Sequence, residues 1–185
     1  IGEVGSSKKI SESEFKFLKA AAEAQAETGF GMHIHACLWN REGLHALDYA
    51  IGCGATAEKV CVDHSDVLLD RDYILGILDR GAYVEFDDFG KEFYVDRRNR
   101  NLLDDSFASD PERVRFIKSL VDEGYTKQIL ISNDICLKSM LHNYGGWGYD
   151  HIAVNVVSMM EDFGISAKDI DTIVRENPIR FLQRG

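Results

Sequence analysis

The sequence has little positive charge and no long apolar run. Lysine and arginine together number 21 against 31 aspartates and glutamates, so the 185-residue chain carries a formal net charge of −10. A chain this acidic is a poor partner for nucleic acid or for an anionic membrane surface. No apolar stretch approaches the roughly 20 residues that a membrane-spanning helix needs. No secretory signal peptide is recognisable, so a cytoplasmic location is the default expectation.

Cysteine is scarce, and glycine-rich phosphate motifs are missing. The four cysteines, Cys37, Cys53, Cys61 and Cys136, show no C-x-x-C spacing, and we expect them to be reduced, with Cys61 in the core. No glycine-rich fingerprint follows an apolar run, which counts against a dinucleotide-binding fold.

Strand-like apolar runs alternate with helix-like segments five times, without a linker or a change of composition. This alternation predicts an α/β fold in which parallel strands are joined by crossover helices, within a single domain over residues 1–185. The long segment 88–109, rich in charge and aromatics, is expected to be a functional loop. The predicted strands are 1–5, 31–35, 60–64, 82–87 and 128–133. The predicted helices are 11–28, 41–51, 70–78, 110–124, 151–162 and 166–175, with a last turn after Pro178.

Polar side chains of metal-binding type accompany four of these strands. Glu3 lies on the first, His35 and His64 end the second and third, and Asp134 follows the last. An open doubly wound sheet and a (β/α) barrel both fit the alternation. The barrel is favoured because barrel active sites form at the C-terminal ends of consecutive strands. Glutamate, two histidines and aspartate are the ligand set of a hydrolytic metal site.

These four side chains have a defined chemistry in such a site. The imidazoles would bind through neutral nitrogens, Glu3 could bridge two cations, and Asp134 could bind one cation and accept a proton. A divalent metal lowers the pKa of bound water to roughly 7, and the resulting hydroxide attacks a carbonyl or phosphoryl centre. Taken singly, each residue has an ordinary structural explanation, such as a hydrogen-bonded histidine or a helix-capping acid. Their joint occurrence on successive strands makes coincidence less probable.

The remaining histidines are weaker candidates. His33 shares a strand face with His35 and could support the metal ligands without binding metal itself. His45, His142 and His151 fall in helix or loop and are assigned no role.

Six short motifs lie along nearly the whole chain. They are Ile1-Gly2-Glu3-Val4-Gly5-Ser6, His33-Ile34-His35, Asp63-His64-Ser65-Asp66, Phe86-Asp87-Asp88-Phe89-Gly90, Ser132-Asn133-Asp134 and Glu176-Asn177-Pro178. In order and spacing they resemble the motifs of phosphotriesterase-related proteins of the amidohydrolase superfamily. The resemblance implies a distorted (β/α)8 barrel with two divalent metal ions, usually zinc, with manganese and cobalt as alternatives.

The resemblance also implies a role for each site residue. Glu3 stands where the family has its bridging carboxylate. His35 and His64 match ligands of the more exposed metal. Asp134 matches the ligand of the buried metal and the general base, and Asp87 matches an acid that passes the proton onward.

The chain departs from the family pattern at its start. The family's first strand supplies an H-x-H pair to the buried metal, well upstream of the bridging residue, and nothing lies upstream of Glu3 here. We therefore expect this chain to be the C-terminal part of such a barrel, strands four to eight with their helices. By itself it would lack a complete buried-metal site.

The family resemblance leaves the substrate open, because relatives hydrolyse phosphotriesters, lactones, phosphorylated sugar lactones or amides. Lys91 and Lys138 could bind a substrate anion, although two solvated surface lysines are as plausible. Trp147 and Tyr149 could form a lid or pocket wall, or pack over the barrel end. The favoured function is hydrolysis of a small, anionic ester or lactone, with metal-bound hydroxide as the nucleophile.

Three other outcomes stay open. The chain could be a non-catalytic, barrel-derived interaction protein, a truncated inactive fragment, or an enzyme of another class such as a lyase or isomerase. Family members often form homodimers, so a second copy is an expected partner, although no dimer signal stands out in the sequence.

Overall fold

The computed structural model describes residues 1–37, 39–93 and 107–184. Its five strands form one parallel sheet in chain order. A doubly wound sheet reverses its strand order at a switch point, whereas a barrel adds each strand beside the previous one. The described strands follow the barrel order. They are β1 (Val4–Gly5), β2 (Met32–His35), β3 (Val60–Val62), β4 (Tyr83–Phe86) and β5 (Ile129–Ile131).

The first strand is shorter than the predicted span of 1–5, although its pairing with β2 begins earlier. The amino group of Ile1 donates to the carbonyl of Gly31 at 2.6 Å, and the amide of His33 donates to the carbonyl of Ile1 at 3.0 Å. These bonds keep Glu3 beside the carboxyl half of β2.

Helices cover the outer face of the sheet, as expected from the crossover pattern. They are α1 (Glu12–Thr28), α2 (Glu42–Gly52), α3 (Arg71–Leu78), α4 (Asp110–Asp122), α5 (Val157–Asp162), α6 (Ala167–Asp171) and α7 (Asn177–Leu182), with π-helical turns at Ile152–Val156 and Thr172–Glu176. The predicted capping box at the start of α1 is present: the Glu14 amide donates to Ser11 Oγ, and the Ser11 amide donates to Glu14 Oε2. Most of segment 88–109, residues 94–106, lies outside the described residues.

The C-terminal turn predicted after Pro178 is present, as residues 179–182 of α7. It is not a separate element, because α6, the π-helical turn and α7 follow one another without a break. Pro178 occupies the first turn of α7, where a missing amide proton is tolerated. Asn177 is fully buried and anchors this helix, because its Nδ2 donates to the carbonyls of Thr126 and Ile129 at 2.7 Å each.

The core divides into two layers on either side of the sheet. The main apolar layer packs the helices on one face of the strands and includes Leu18, Leu47 and Ile117, all fully buried. A smaller cluster on the other face consists of Cys61, Tyr83, Leu130 and Phe181. The four cysteines are free thiols, and Cys61 is buried as predicted. Across the described residues, no helix combines the length and apolarity needed to cross a membrane.

Candidate metal centre

Glu3, His35 and His64 converge at one edge of the sheet. His35 ends β2 and His64 follows β3, and parallel neighbours bring these chain ends together. His64 Nε2 lies 3.0 Å from His35 Nδ1, which lies 3.2 Å from Glu3 Oε1. The three side chains offer one ligand atom each, and all three atoms fall within 4.8 Å of one another. One carboxylate and two imidazoles suit a dication such as zinc.

Asp87 orients His64. Its Oδ1 lies 3.0 Å from His64 Nδ1, and its Oδ2 accepts the backbone amide of His64 at 2.9 Å. These bonds hold His64 at a φ of 54°, which is uncommon for a residue with a side chain. Metal-binding histidines usually bond a carboxylate through the nitrogen that faces away from the metal. The arrangement therefore fits a metal ion at the Nε2 side of His64.

The carboxyl group of Asp87 is almost fully buried. Burial, together with the neighbouring acids Asp66 and Asp88, raises its pKa well above the usual range. A carboxyl group whose pKa is raised in this way can hold a proton near neutral pH.

Asp134 lies outside the Glu3–His35–His64 cluster but lines a cavity that also contains Glu3. A cavity of about 280 Å³ is lined by Glu3, Asp87 and Asp134, among others. The Asp134 carboxylate contacts the ammonium group of Lys91, which also lies 2.8 Å from Asp88 Oδ1. Asp134 thus shares a cavity with Glu3, and its carboxylate is paired with the cation of Lys91.

Lys91 is not the solvated surface lysine that the sequence allows as an alternative. Its exposure is only 4%. Burial alone would lower the pKa of Lys91, but Asp88 and Asp134 outweigh this effect and raise it above the ordinary value. The side chain is therefore a cation, held within contact distance of Asp134.

The other predicted substrate contacts lie elsewhere. Lys138 places its ammonium 4.3 Å from the centre of the Tyr144 ring, and Trp147 stacks on His151 with ring centres 5.1 Å apart. Tyr149 is 75% exposed. Among the described residues, none of these three lines the cavity that contains Glu3 and Asp134.

A second cavity opens beside His64, on the side of α2 and α3. It has a volume of about 340 Å³, enough for a small organic molecule. Its wall contains aromatic, apolar and polar side chains. The lining residues besides His64 are Cys37, Trp39, Asn40, Arg41, Ser65, Leu68, Asp70 and Tyr73.

A buried ion network behind the site could not be anticipated from the sequence. Arg113 is fully buried; its Nε donates to Asp66 Oδ2 at 2.6 Å and its Nη1 to Asp110 Oδ1 at 3.1 Å. Asp110 also bonds His151 Nε2 at 2.7 Å, and Asp66 accepts the amide of Asp88 at 3.2 Å. The spacing of Asp110 and Arg113 on one helix was the one available signal. The network ties together the segments that carry His64, Lys91 and Trp147.

The fold and the site define a parallel (β/α) protein with a carboxylate–imidazole cluster of metal-binding type at the edge of its sheet. The chain belongs to the phosphotriesterase family, whose sequence model matches residues 1–182.

Comparison with individual proteins agrees with this family assignment. A protein from Danio rerio named N-acetyltaurine hydrolase is 38% identical over 183 residues, covering 98% of this chain and 52% of that protein. The crystal structure of the phosphotriesterase homology protein from Escherichia coli, with phosphate in its active site, superposes with a TM-score of 0.86 at 33% identity, covering 99% of this chain and 59% of that one. A resiniferatoxin-binding protein from Rhodobacter sphaeroides gives a TM-score of 0.92 at 32% identity, covering 99% and 50%.

These comparisons confirm the predicted family and fold class, because the structural neighbours are phosphotriesterase-like TIM-barrel proteins. The chain spans about half the length of the curated relatives it matches.

Proposed function

We propose that the protein containing this chain is a metal-dependent hydrolase of a small, anionic amide or carboxylic ester, lactones included. The observation that carries this proposal is the convergence of Glu3, His35 and His64, with His64 oriented by Asp87. Relatives named N-acetyltaurine hydrolase support cleavage of a bond of this class.

The proposed cofactor is a pair of divalent ions, for which zinc is favoured and manganese or cobalt are alternatives. His35 and His64 would bind one ion, Asp134 would bind the other, and Glu3 would contact both. When bound, such ions activate water as a nucleophile and polarise the substrate oxygen that faces them.

Asp134 is the proposed general base. Its carboxylate lines the cavity that contains Glu3, which is where a general base is needed. Asp87 is the proposed next proton carrier, since it bonds His64 and its raised pKa lets it hold a proton.

An anionic substrate is proposed because the site contains a cation: the ammonium group of Lys91 contacts Asp134, which lines the cavity with Glu3. Binding of a metal at Asp134 would weaken the hold of that carboxylate on Lys91, so that the ammonium could contact a substrate carboxylate, sulfonate or phosphate. Phosphate bound in the active site of the Escherichia coli relative supports an anion-binding role. Lys138, Trp147 and Tyr149 line neither cavity, so their role as substrate contacts stays a prediction from the sequence. The 340 Å³ cavity beside His64 would take the organic part of the substrate.

The proposal predicts that Asp134→Asn lowers turnover in the full-length protein. The amide keeps the size of the side chain but cannot accept the proton, and losing a general base typically costs roughly 10²- to 10⁴-fold in rate. The measurement is kcat on a panel of anionic N-acyl amides, lactones and phosphotriesters, with release of the free acid as the readout.

Asp150→Asn is the matched control, because Asp150 is an exposed acid that pairs with His142 on the same connecting segment. Equal activity in both variants and the unmutated protein would remove Asp134 from the mechanism. An absence of turnover on the whole panel by the metal-loaded protein would instead favour the non-catalytic alternative.

A further inference from the structure

A second set of metal-type ligands lies deeper on the inner face of the sheet. It consists of His33 on β2, Cys61 on β3, Asp63 just after β3, and Glu85 on β4. Side chains two residues apart on a strand share a face, so His33 lies one layer below His35, and Glu85 one layer below Asp87. The four ligand atoms fall within 4.8 Å of one another. None of the four belongs to the Glu3–His35–His64 cluster.

The contacts inside this deeper set leave an excess of negative charge. His33 Nδ1 lies 2.8 Å from Asp63 Oδ1 and 3.4 Å from Glu85 Oε2, so two carboxylates share one imidazole. The ligand oxygens of Asp63 and Glu85 also lie within 4.8 Å of each other. Two carboxylates this close are stabilised by a proton or a cation between them, because their mutual repulsion is strong in a buried site.

Cys61 adds a fourth, softer donor. Its side chain is fully buried, and burial followed by the charges of Asp63 and Glu85 raises the pKa of its thiol well above the ordinary value. Without a metal the thiol is therefore protonated. A bound transition metal replaces that proton, since the thiolate is the ligand form.

We propose that His33, Cys61, Asp63 and Glu85 form a further metal site that takes a transition-metal dication of the zinc type. A thiolate and an imidazole select zinc-like metals over calcium or magnesium, which prefer oxygen ligands throughout. Four protein donors complete a tetrahedral shell and leave no open position, so the site is structural. Binding breaks the S–H bond of Cys61, releases that proton to solvent and forms a metal–sulfur bond, with no change of oxidation state.

The metal has an entry route. His33, Asp63 and Glu85 line the 280 Å³ cavity that also contains Glu3 and Asp134, so an ion can reach the deeper layer from the predicted catalytic side. Cys61 lies behind this cavity, in the small inner cluster with Tyr83 and Phe181. The ion would thus link three neighbouring strands directly beneath the proposed hydrolytic centre.

Cobalt substitution of the full-length protein tests the proposal through the sulfur ligand. A thiolate bound to Co²⁺ gives a near-ultraviolet charge-transfer band, which a site of carboxylates and imidazoles does not give. We expect the band in the unmutated protein and in Cys37→Ser, and its loss in Cys61→Ser. Cys37 is the matched control because it lines the cavity beside His64 and is therefore another cysteine that could bind cobalt near the proposed hydrolytic centre. Glu85→Gln should retain fewer ions per chain than the unmutated protein, whatever its activity.

X-ray absorption of the unmutated zinc protein provides a readout that needs no variant. The proposal predicts a sulfur neighbour at about 2.3 Å from zinc. A shell of nitrogen and oxygen alone, or a cobalt band that vanishes in Cys37→Ser and survives in Cys61→Ser, would overturn it. The four residues would then be a proton-sharing network. Hydrolysis measured on the same samples keeps this outcome separate from the proposed catalytic function.

Discussion

Replacing His64 with alanine is expected to remove metal from the Glu3–His35–His64 cluster and to abolish most turnover of the full-length protein. His64 contributes the least exposed donor of the cluster, and its Nε2 faces His35 at 3.0 Å. Asp87→Asn should have a smaller effect, because Asp87 orients the imidazole and is the proposed proton carrier but does not itself bind the metal. Loss of such a supporting carboxylate typically lowers metal affinity or activity by roughly 10- to 100-fold. We therefore expect His64→Ala to lose more metal and more activity than Asp87→Asn.

Metal content after dialysis against a weak chelator, together with kcat/KM, measures both effects. His142→Ala is the control, since His142 is an exposed histidine paired with Asp150. It should keep its metal and its activity. If His64→Ala bound as much metal as the control and turned over substrate normally, the cluster could not be the hydrolytic centre.

Replacing Arg113 with methionine is expected to destabilise the fold by about 3 to 5 kcal/mol, the usual cost of removing one partner from a buried ion pair. The fully buried guanidinium bonds both Asp66 and Asp110, so its loss leaves buried acids without their cation. Burial and the neighbouring Asp88 raise the pKa of Asp66 to about 7 even with Arg113 present.

The pKa of Asp66 also gives the destabilisation a pH dependence. A carboxyl group whose pKa is higher in the folded than in the unfolded state favours folding when protonated, and this contribution is lost as the pH rises. Without Arg113 the pKa of Asp66 should rise further. The variant should therefore be less impaired at pH 5 than at pH 8.

Urea unfolding at both pH values measures this prediction, with Arg115→Met as the control. Arg115 lies on the same helix but is exposed, with its guanidinium over the Phe163 ring. Its replacement should cost about 1 kcal/mol or less. Similar unfolding free energies for the two variants would show that the buried network contributes little to stability.

Much of the fold follows from local pattern. Runs of β-prone residues separated by amphipathic helices predicted all five strands, and the capping residues Ser11 and Glu14 marked the start of α1. The continuity of α7 with the preceding π-helical turn could not be predicted, because Pro178 ordinarily marks a helix boundary. Hydrogen bonds from Asn177 to Thr126 and to Ile129 of β5 stabilise this helix, and these are tertiary contacts.

The site, too, has features that local sequence pattern predicts and features that depend on tertiary contacts. Strand ends in a parallel sheet meet at one edge, so the meeting of Glu3, His35 and His64 could be anticipated from the sequence. The surroundings of Lys91 could not, because its partner Asp134 lies 43 residues away. The partner of Arg113, Asp66, is 47 residues distant, and no local pattern links the two. The sequence allows His33 a supporting role beside His35, and in the structure its Nδ1 contacts Asp63 and Glu85 in the deeper layer.

Anomalous diffraction from crystals of the full-length, metal-loaded protein tests the central claim most directly. At the absorption edge of the bound metal, the account predicts a strong peak enclosed by Glu3, the facing nitrogen of His35 and Nε2 of His64. The account would be contradicted if no peak lay among these three side chains, whether the metal were bound elsewhere in the crystal or not bound at all.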